Sequence, residues 1–368
     1  MMYVNPSEGN DMNENLKPRI YKFDNVRLLA IILVVIGSFA DAFTARSEMF
    51  QSWFVFVYSF HAPLFIFLSG LFTKEYKNGV KPDNYRLSFY FGLGMLLKVI
   101  IYLMRLWNGY PAKLNFFGGD TMDWYLILIV LYAITIYLLR RVNRWVVLVL
   151  SVIAGTAAGF IPLTDEYYLM RYLVFLPFFA AGYYLTPAKV RRFTHRTNVK
   201  LAGIAFLFIY FVLCFRERGA IYPLRMLFTG RNPYAQVQLE GCTFYHRLLC
   251  YGISAVLIVA VMACMPNRKY PFVTRMGSNT LGVYFWHYPV VLLLWHFSLD
   301  KKLISLGDPL WKFIVLVMSV IVALILAVPA FNWPLRKLLA WVRMMPPLAC
   351  LTMDVVILMG AAVCTLLL

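Results

Sequence analysis

Apolar residues run along this chain in long unbroken blocks, without the strict alternation of a strand or the narrow stripe of a surface helix. A hydrocarbon core of roughly 30 Å takes about 20 apolar residues in helical conformation. Ten blocks approach or meet that length, at about 28–45, 50–72, 87–107, 123–140, 145–163, 168–186, 200–215, 244–265, 279–299 and 311–335. An eleventh, 348–368, ends the sequence and carries Asp354 near its start. The pattern predicts an all-α, polytopic integral membrane protein of about ten to eleven transmembrane helices. Its membrane domain covers 19–345, and 346–368 is a candidate for one more helix. Residues 1–18 are polar, hold Glu8, Asp11 and Glu14, and read as a disordered cytoplasmic tail. They do not read as a cleaved signal, because the block that follows is too long and lacks a small-x-small cleavage site.

Composition narrows the classes further. Hydrophobic residues make up 61% of the chain and charged residues 14%, where a soluble domain carries about 25% charged. That excludes a cytosolic enzyme, a secreted disulfide scaffold and a disordered regulator. The six cysteines form no CxxC pair and read as small hydrophobes. No metal site is expected. The net charge of +18 would suggest nucleic acid in a soluble protein. Here the cations sit in short loops whose charge alternates along the chain. The N-terminal flank and every second loop carry 22 Lys or Arg, the intervening loops carry 12, and Lys98 lies inside a block. The positive-inside rule then places the N-terminus in the cytoplasm of a cell membrane. The expected partners are lipids, not nucleic acid.

Ionisable groups inside membrane spans cost roughly 2.5–3.5 kcal/mol each on insertion scales and usually mark function. Asp24 and Arg27 are i,i+3 neighbours at the start of the first block. They read either as an interfacial anchor or as an anion site for a cytosolic donor. Ser38 follows Arg27 by eleven residues, about three turns, and Asp41 follows by three more, so all three share one helix face. Ser38 on spacing alone is equally a small packing residue. His61 lies near mid-depth of the second block beside Pro63. It reads either as a structural imidazole satisfied by a carbonyl that Pro63 frees, or as a proton-transfer group. Arg171 either snorkels to an interface or serves a site. His287 sits inside its block next to a proline, Pro289.

Five segments together resemble the membrane acyltransferase-3 family, and within it the fucose 4-O-acetylase-like branch. They are Tyr21 to Phe39, His61 to Gly70, Met122-Asp123-Trp124-Tyr125-Leu126, Arg171 to Tyr184, and Gly277 to Pro289. The resemblance covers about Arg19 to Arg336. It implies a membrane O-acyltransferase that moves an acyl group, usually acetyl from acetyl-CoA, to a hydroxyl of a sugar, surface glycan or lipid-linked acceptor. Acyl-CoA is then a co-substrate and no bound cofactor is implied. The family's first helix carries a basic residue, ten residues, then an essential His. Carried over, the basic residue is Arg27 and the His position is Ser38.

Ser cannot act as a general base near neutral pH. An introduced substitution, a natural loss of activity and a base moved to His61 all remain open as explanations. The implied roles are donor binding by Asp24 and Arg27, with loop cations such as Lys74 not involved. Ser38, Asp41 and His61 form the catalytic set, with Asp41 orienting the base. Arg171 or Asn279 would stabilise an oxyanion, and Trp124, Tyr284 and His287 complete the pocket. The chain as written is expected to bind acyl-CoA and transfer little. The rival classes are a small-molecule or lipid transporter and a catalytically inactive membrane subunit. Against the transporter stands the lack of any internal repeat.

Overall fold

A computed structural model describes residues 19–73, 76, 80–119, 121–162 and 165–367. Lys74 and the tail 1–18 lie outside the described residues. Among the described residues the regular structure is helical, with one isolated antiparallel bridge between Gly118 and Glu166.

Every apolar block of the sequence contains a helix. In chain order they are α1 (Tyr21–Phe43), α2 (Glu48–Tyr58), α3 (His61–Leu71), α4 (Asn84–Trp107), α5 (Trp124–Leu138), α6 (Arg144–Ala157), α7 (Leu169–Tyr184), α8 (Pro187–Thr194) and α9 (Thr197–Arg216). Short helical turns over 218–236 lead to α10 (Phe244–Cys264), α11 (Pro271–Gly277), α12 (Thr280–His296), α13 (Leu310–Leu326), α14 (Pro329–Met344) and α15 (Pro347–Leu367). Six spans among the described residues are long and apolar enough to cross a membrane, or eight if two bent pairs each count as one. α5 and α6 are shorter: at 1.5 Å per residue, the 15 residues of α5 reach about 22 Å.

Two of the blocks are broken. The second splits into α2 and α3 at Ser59 and Phe60, just before Pro63. The block at 311–335 ends as α13 at Leu326 and restarts as α14 with Pro329 at its first position, a bend of 47°. Proline is favoured there because it needs no N–H at the start of a helix, while the residue before it avoids the helical region.

α1 is the inner post of the bundle. Of its apolar window 78% is buried, against 17% for α9. Leu201 and Phe208 on α9 are exposed apolar side chains, the outward face of a protein whose solvent is lipid. α1 packs against α2, α3, α11, α12 and α13. Small residues set the tightest crossings. A Cβ on Gly70 of α3 would lie 2.1 Å from the Phe179 carbonyl oxygen of α7, and one on Gly182 would lie 2.1 Å from that of Phe67. The two helices therefore touch backbone to backbone at a reciprocal pair of glycines, which only hydrogen side chains permit. α15 is tied to α4 by Ser88 Oγ donating to Asp354 Oδ2 at 2.5 Å, which gives this acid in an apolar helix a partner.

Candidate active site

Along α1, residues Arg27, Ile31, Val34, Ser38 and Asp41 recur at intervals of four, three, four and three, and all five line one cavity of about 320 Å³. From Arg27 to Asp41 the stripe rises fourteen residue steps, about 21 Å of helix, which is most of the depth of a hydrocarbon core. α2 and α3 bring Tyr58 and His61 to the same wall. Gly37 makes that approach close, since a Cβ there would touch Tyr58 and Val57 side chains at 3.1 Å. Trp124, Tyr125, Arg171 and Tyr284 add to the polar and aromatic lining.

His61 owes its setting to the break between α2 and α3. The carbonyl that Pro63 releases is that of Ser59, four residues back, and Ser254 Oγ donates to it at 2.5 Å. The partner of His61 is instead the Val57 carbonyl, 2.9 Å from Nδ1. A carbonyl only accepts, so Nδ1 carries the proton and the Nε2 lone pair is left as the ring's acceptor. The imidazole also meets the Tyr58 ring edge-on, 4.6 Å between centroids. Ser38 Oγ donates back to the Val34 carbonyl at 3.1 Å.

The charged groups on this wall are four arginines, Arg27, Arg105, Arg171 and Arg231, and one carboxylate, Asp41. Arg27 is buried at one end, held by Asp24 (Nη1 to Oδ1, 3.3 Å) and lying over the Phe72 ring at 4.4 Å. Arg171 is buried rather than snorkelling. It pairs with Asp165 at 2.9 Å, donates to the Gly119 carbonyl, and lies over the Trp124 ring at 4.8 Å. Tyr284 donates to the Met122 carbonyl. Asp41 is exposed at the far end of the stripe, within electrostatic reach of Arg231 and Arg225.

A buried polar cluster holds the wall around Trp124. Lys98 pairs with Asp123 at 3.4 Å and donates to the carbonyls of Asn115 and Gly118. Thr121 and Tyr168 donate to the same carboxylate. The cation left inside a block by the sequence is thus a clamp on the 115–123 loop.

Residues 20–328, most of the chain, match the acyltransferase-3 family, described as an acyltransferase domain. The chain belongs to this family. No curated relative and no solved structure matches it. The matched residues therefore include the whole cavity wall and stop just before α14.

Three expected site residues of the acyltransferase do not reach the cavity. Asp24 lies behind Arg27 and receives Arg19 Nε at 2.9 Å on its other oxygen, so both of its oxygens are paired with arginines and it positions Arg27. Asn279 is consumed by the bundle. Its Nδ2 donates to the Ala327 carbonyl at 3.2 Å, and its Oδ1 accepts from Asn332 and from Arg336 at 2.8 Å. It fastens the start of α12 to the bend between α13 and α14, away from the cavity wall. His287 is fully buried off the cavity wall, with Nδ1 at 2.7 Å from the Tyr284 carbonyl. Conversely, Tyr58, Arg105 and Arg231 line the cavity, and the sequence pattern does not single them out. Arg105 and Arg231 are two of twelve loop cations in sequence, and nothing local marks them. Tyr58 had a signal, three residues before His61.

Proposed function

We propose that this acyltransferase moves acetyl from cytosolic acetyl-CoA to a hydroxyl of a sugar, surface glycan or lipid-linked acceptor, in the manner of the fucose 4-O-acetylase-like branch, with His61 as the general base. One observation carries this reading: the α1 stripe and His61 share a single cavity, with a buried arginine at one end and an exposed carboxylate at the other. Donor and acceptor approach from opposite faces of the membrane and meet there. In this reading the N-terminus and the 186–200 and 266–278 loops are cytoplasmic, which puts Arg27 on the donor's side.

The chemistry follows from the groups on the wall. Arg27 takes a phosphate of the donor, as guanidinium groups do well. The acceptor O–H passes its proton to His61 Nε2 as its oxygen attacks the thioester carbonyl carbon. The new C–O bond leaves an oxyanion, which Arg171 stabilises. Collapse breaks the C–S bond. The thiolate of coenzyme A leaves and takes the proton back from the imidazolium, so atoms and charge balance. Ser38 stands where the family places an imidazole, so transfer runs on one base where relatives have another, and it is slow.

The test is acetyl-CoA turnover by the full chain in nanodiscs, with and without a neutral oligosaccharide acceptor. Acetyl recovered on an acceptor hydroxyl supports the reading. Donor binding without transfer, unchanged by Ser38→His, assigns a non-catalytic subunit. Solute flux without any acetyl-CoA binding assigns a transporter. Thiol labelling of Ala188→Cys and Asn267→Cys by an impermeant reagent on intact cells would reject the orientation.

A further inference from the structure

The Asp41 end of the cavity opens beside a second one of about 420 Å³, and Arg105 and Tyr288 line both. Arg46 lines the second and Arg231 the first. Among the described residues the joined mouth holds three arginines, Arg46, Arg105 and Arg231, and two carboxylates, Asp41 and Asp300. A neutral sugar hydroxyl is bound adequately by uncharged donors, whereas a guanidinium with no direct ion pair matches an anion.

Arg231 is the most telling of them. Its backbone is pinned on both sides: the Thr229 carbonyl accepts from Arg171, and the Asn232 carbonyl accepts from the fully buried Arg247 at 3.2 Å. Asn232 Nδ2 donates to the Met226 carbonyl at 2.8 Å. Gly230 between them has φ +72°, and a Cβ there would strike the Phe175 ring at 2.8 Å. A turn this constrained presents an exposed guanidinium that, among the described residues, forms no hydrogen bond or direct ion pair of its own. By contrast, the nearby Arg225 is engaged by Gln238 and the Tyr222 ring.

We propose that this mouth is a subsite for an anionic group carried by the acceptor, a phosphate or carboxylate, with Arg231 as its main ligand and Arg105 beside it. The word acceptor rests on the function proposed above; the anion site itself does not. Two sources share this chemistry: the diphosphate of a lipid carrier and an acidic sugar of the glycan.

The experiment uses the full chain in phosphatidylcholine nanodiscs. The probes are polyprenyl diphosphate against polyprenol, and a hexuronate oligosaccharide against its neutral counterpart. At least one anionic probe should bind more tightly than its neutral partner. Arg231→Gln should weaken that probe about 10-fold to 100-fold, the worth of one charge-assisted contact, and Arg231→Lys should weaken it less. Acetyl-CoA affinity should stay within about 2-fold, since its phosphates sit at the Arg27 end. Preference for the diphosphate assigns a lipid carrier, and preference for the hexuronate assigns the glycan. Equal binding of charged and neutral probes, or no effect of Arg231→Gln, overturns the subsite. Failure of acetyl-CoA to bind any variant would overturn the transferase reading while leaving an Arg231-dependent anion site standing.

Discussion

His61 and His287 are near twins in local structure. Each lies two residues before a proline, is buried, and turns Nδ1 to a carbonyl three or four residues back. They differ in what lies on the other side of the ring. His61 starts a helix after a break and lines the cavity. His287 sits in mid-helix, and its Nε2 is buried with no hydrogen-bond partner among the described residues. The lesson is that a histidine in a membrane helix gains chemical use from the wall it occupies, not from its depth or its neighbours in sequence. A broken helix supplies such a wall, because it lets the ring face open space while a carbonyl one turn back still fixes the tautomer.

The comparison is sharpened most by adding a third imidazole. Ser38→His places one on the His61 cavity and should raise acetyl transfer by up to about 10²-fold, less than the full contribution of a sole general base because His61 already takes the proton. Turnover of acetyl-CoA with a glycan acceptor measures it. A silent variant that still binds donor would detach the stripe from the chemistry.

Next comes the crossing that holds His61's helix in place. Gly70→Val puts a side chain where the Phe179 carbonyl already stands. It should cost more than about 3 kcal/mol, since overpacking here meets backbone that cannot shift cheaply. Size-exclusion profiles and thermal unfolding in detergent would show it, and a well-folded, active variant would contradict the backbone contact.

Arg27→Ala should weaken acetyl-CoA binding by roughly 1.5–3 kcal/mol, one lost charge-assisted contact. Isothermal titration decides, and equal affinity would remove Arg27 from the donor site. Smallest of all, His287→Phe should change transfer by less than about 3-fold, since replacing a buried polar group that has an unmet nitrogen with an apolar ring is close to neutral. A large loss would return His287 to the site.

Much of this was legible in the sequence. Block length predicted the helices, and the eleven-residue interval from Arg27 to Ser38 predicted a shared face of α1, because helix periodicity is local. The breaks were harder to read: Pro63 signalled one, but not that Ser254 would take the freed carbonyl and leave Val57 for His61. Lys98 stood out as a cation inside a block, yet its pairing with Asp123 joins residues too far apart for any spacing rule. Asn279 failed as a site residue for the same reason. Its three partners come from elements some fifty residues on, and side-chain type alone cannot tell a consumed amide from an available one. Arg231 was invisible because its use depends on a turn fixed by Arg171 and Arg247.

The central claim is that His61 is the base within this cavity. It is tested most directly by measuring acetyl transfer and acetyl-CoA binding together in the parent chain and His61→Ala. The account predicts transfer lost to background, about 10²-fold or more below the parent, with donor affinity unchanged. Transfer that persists in His61→Ala at the parent rate would contradict it.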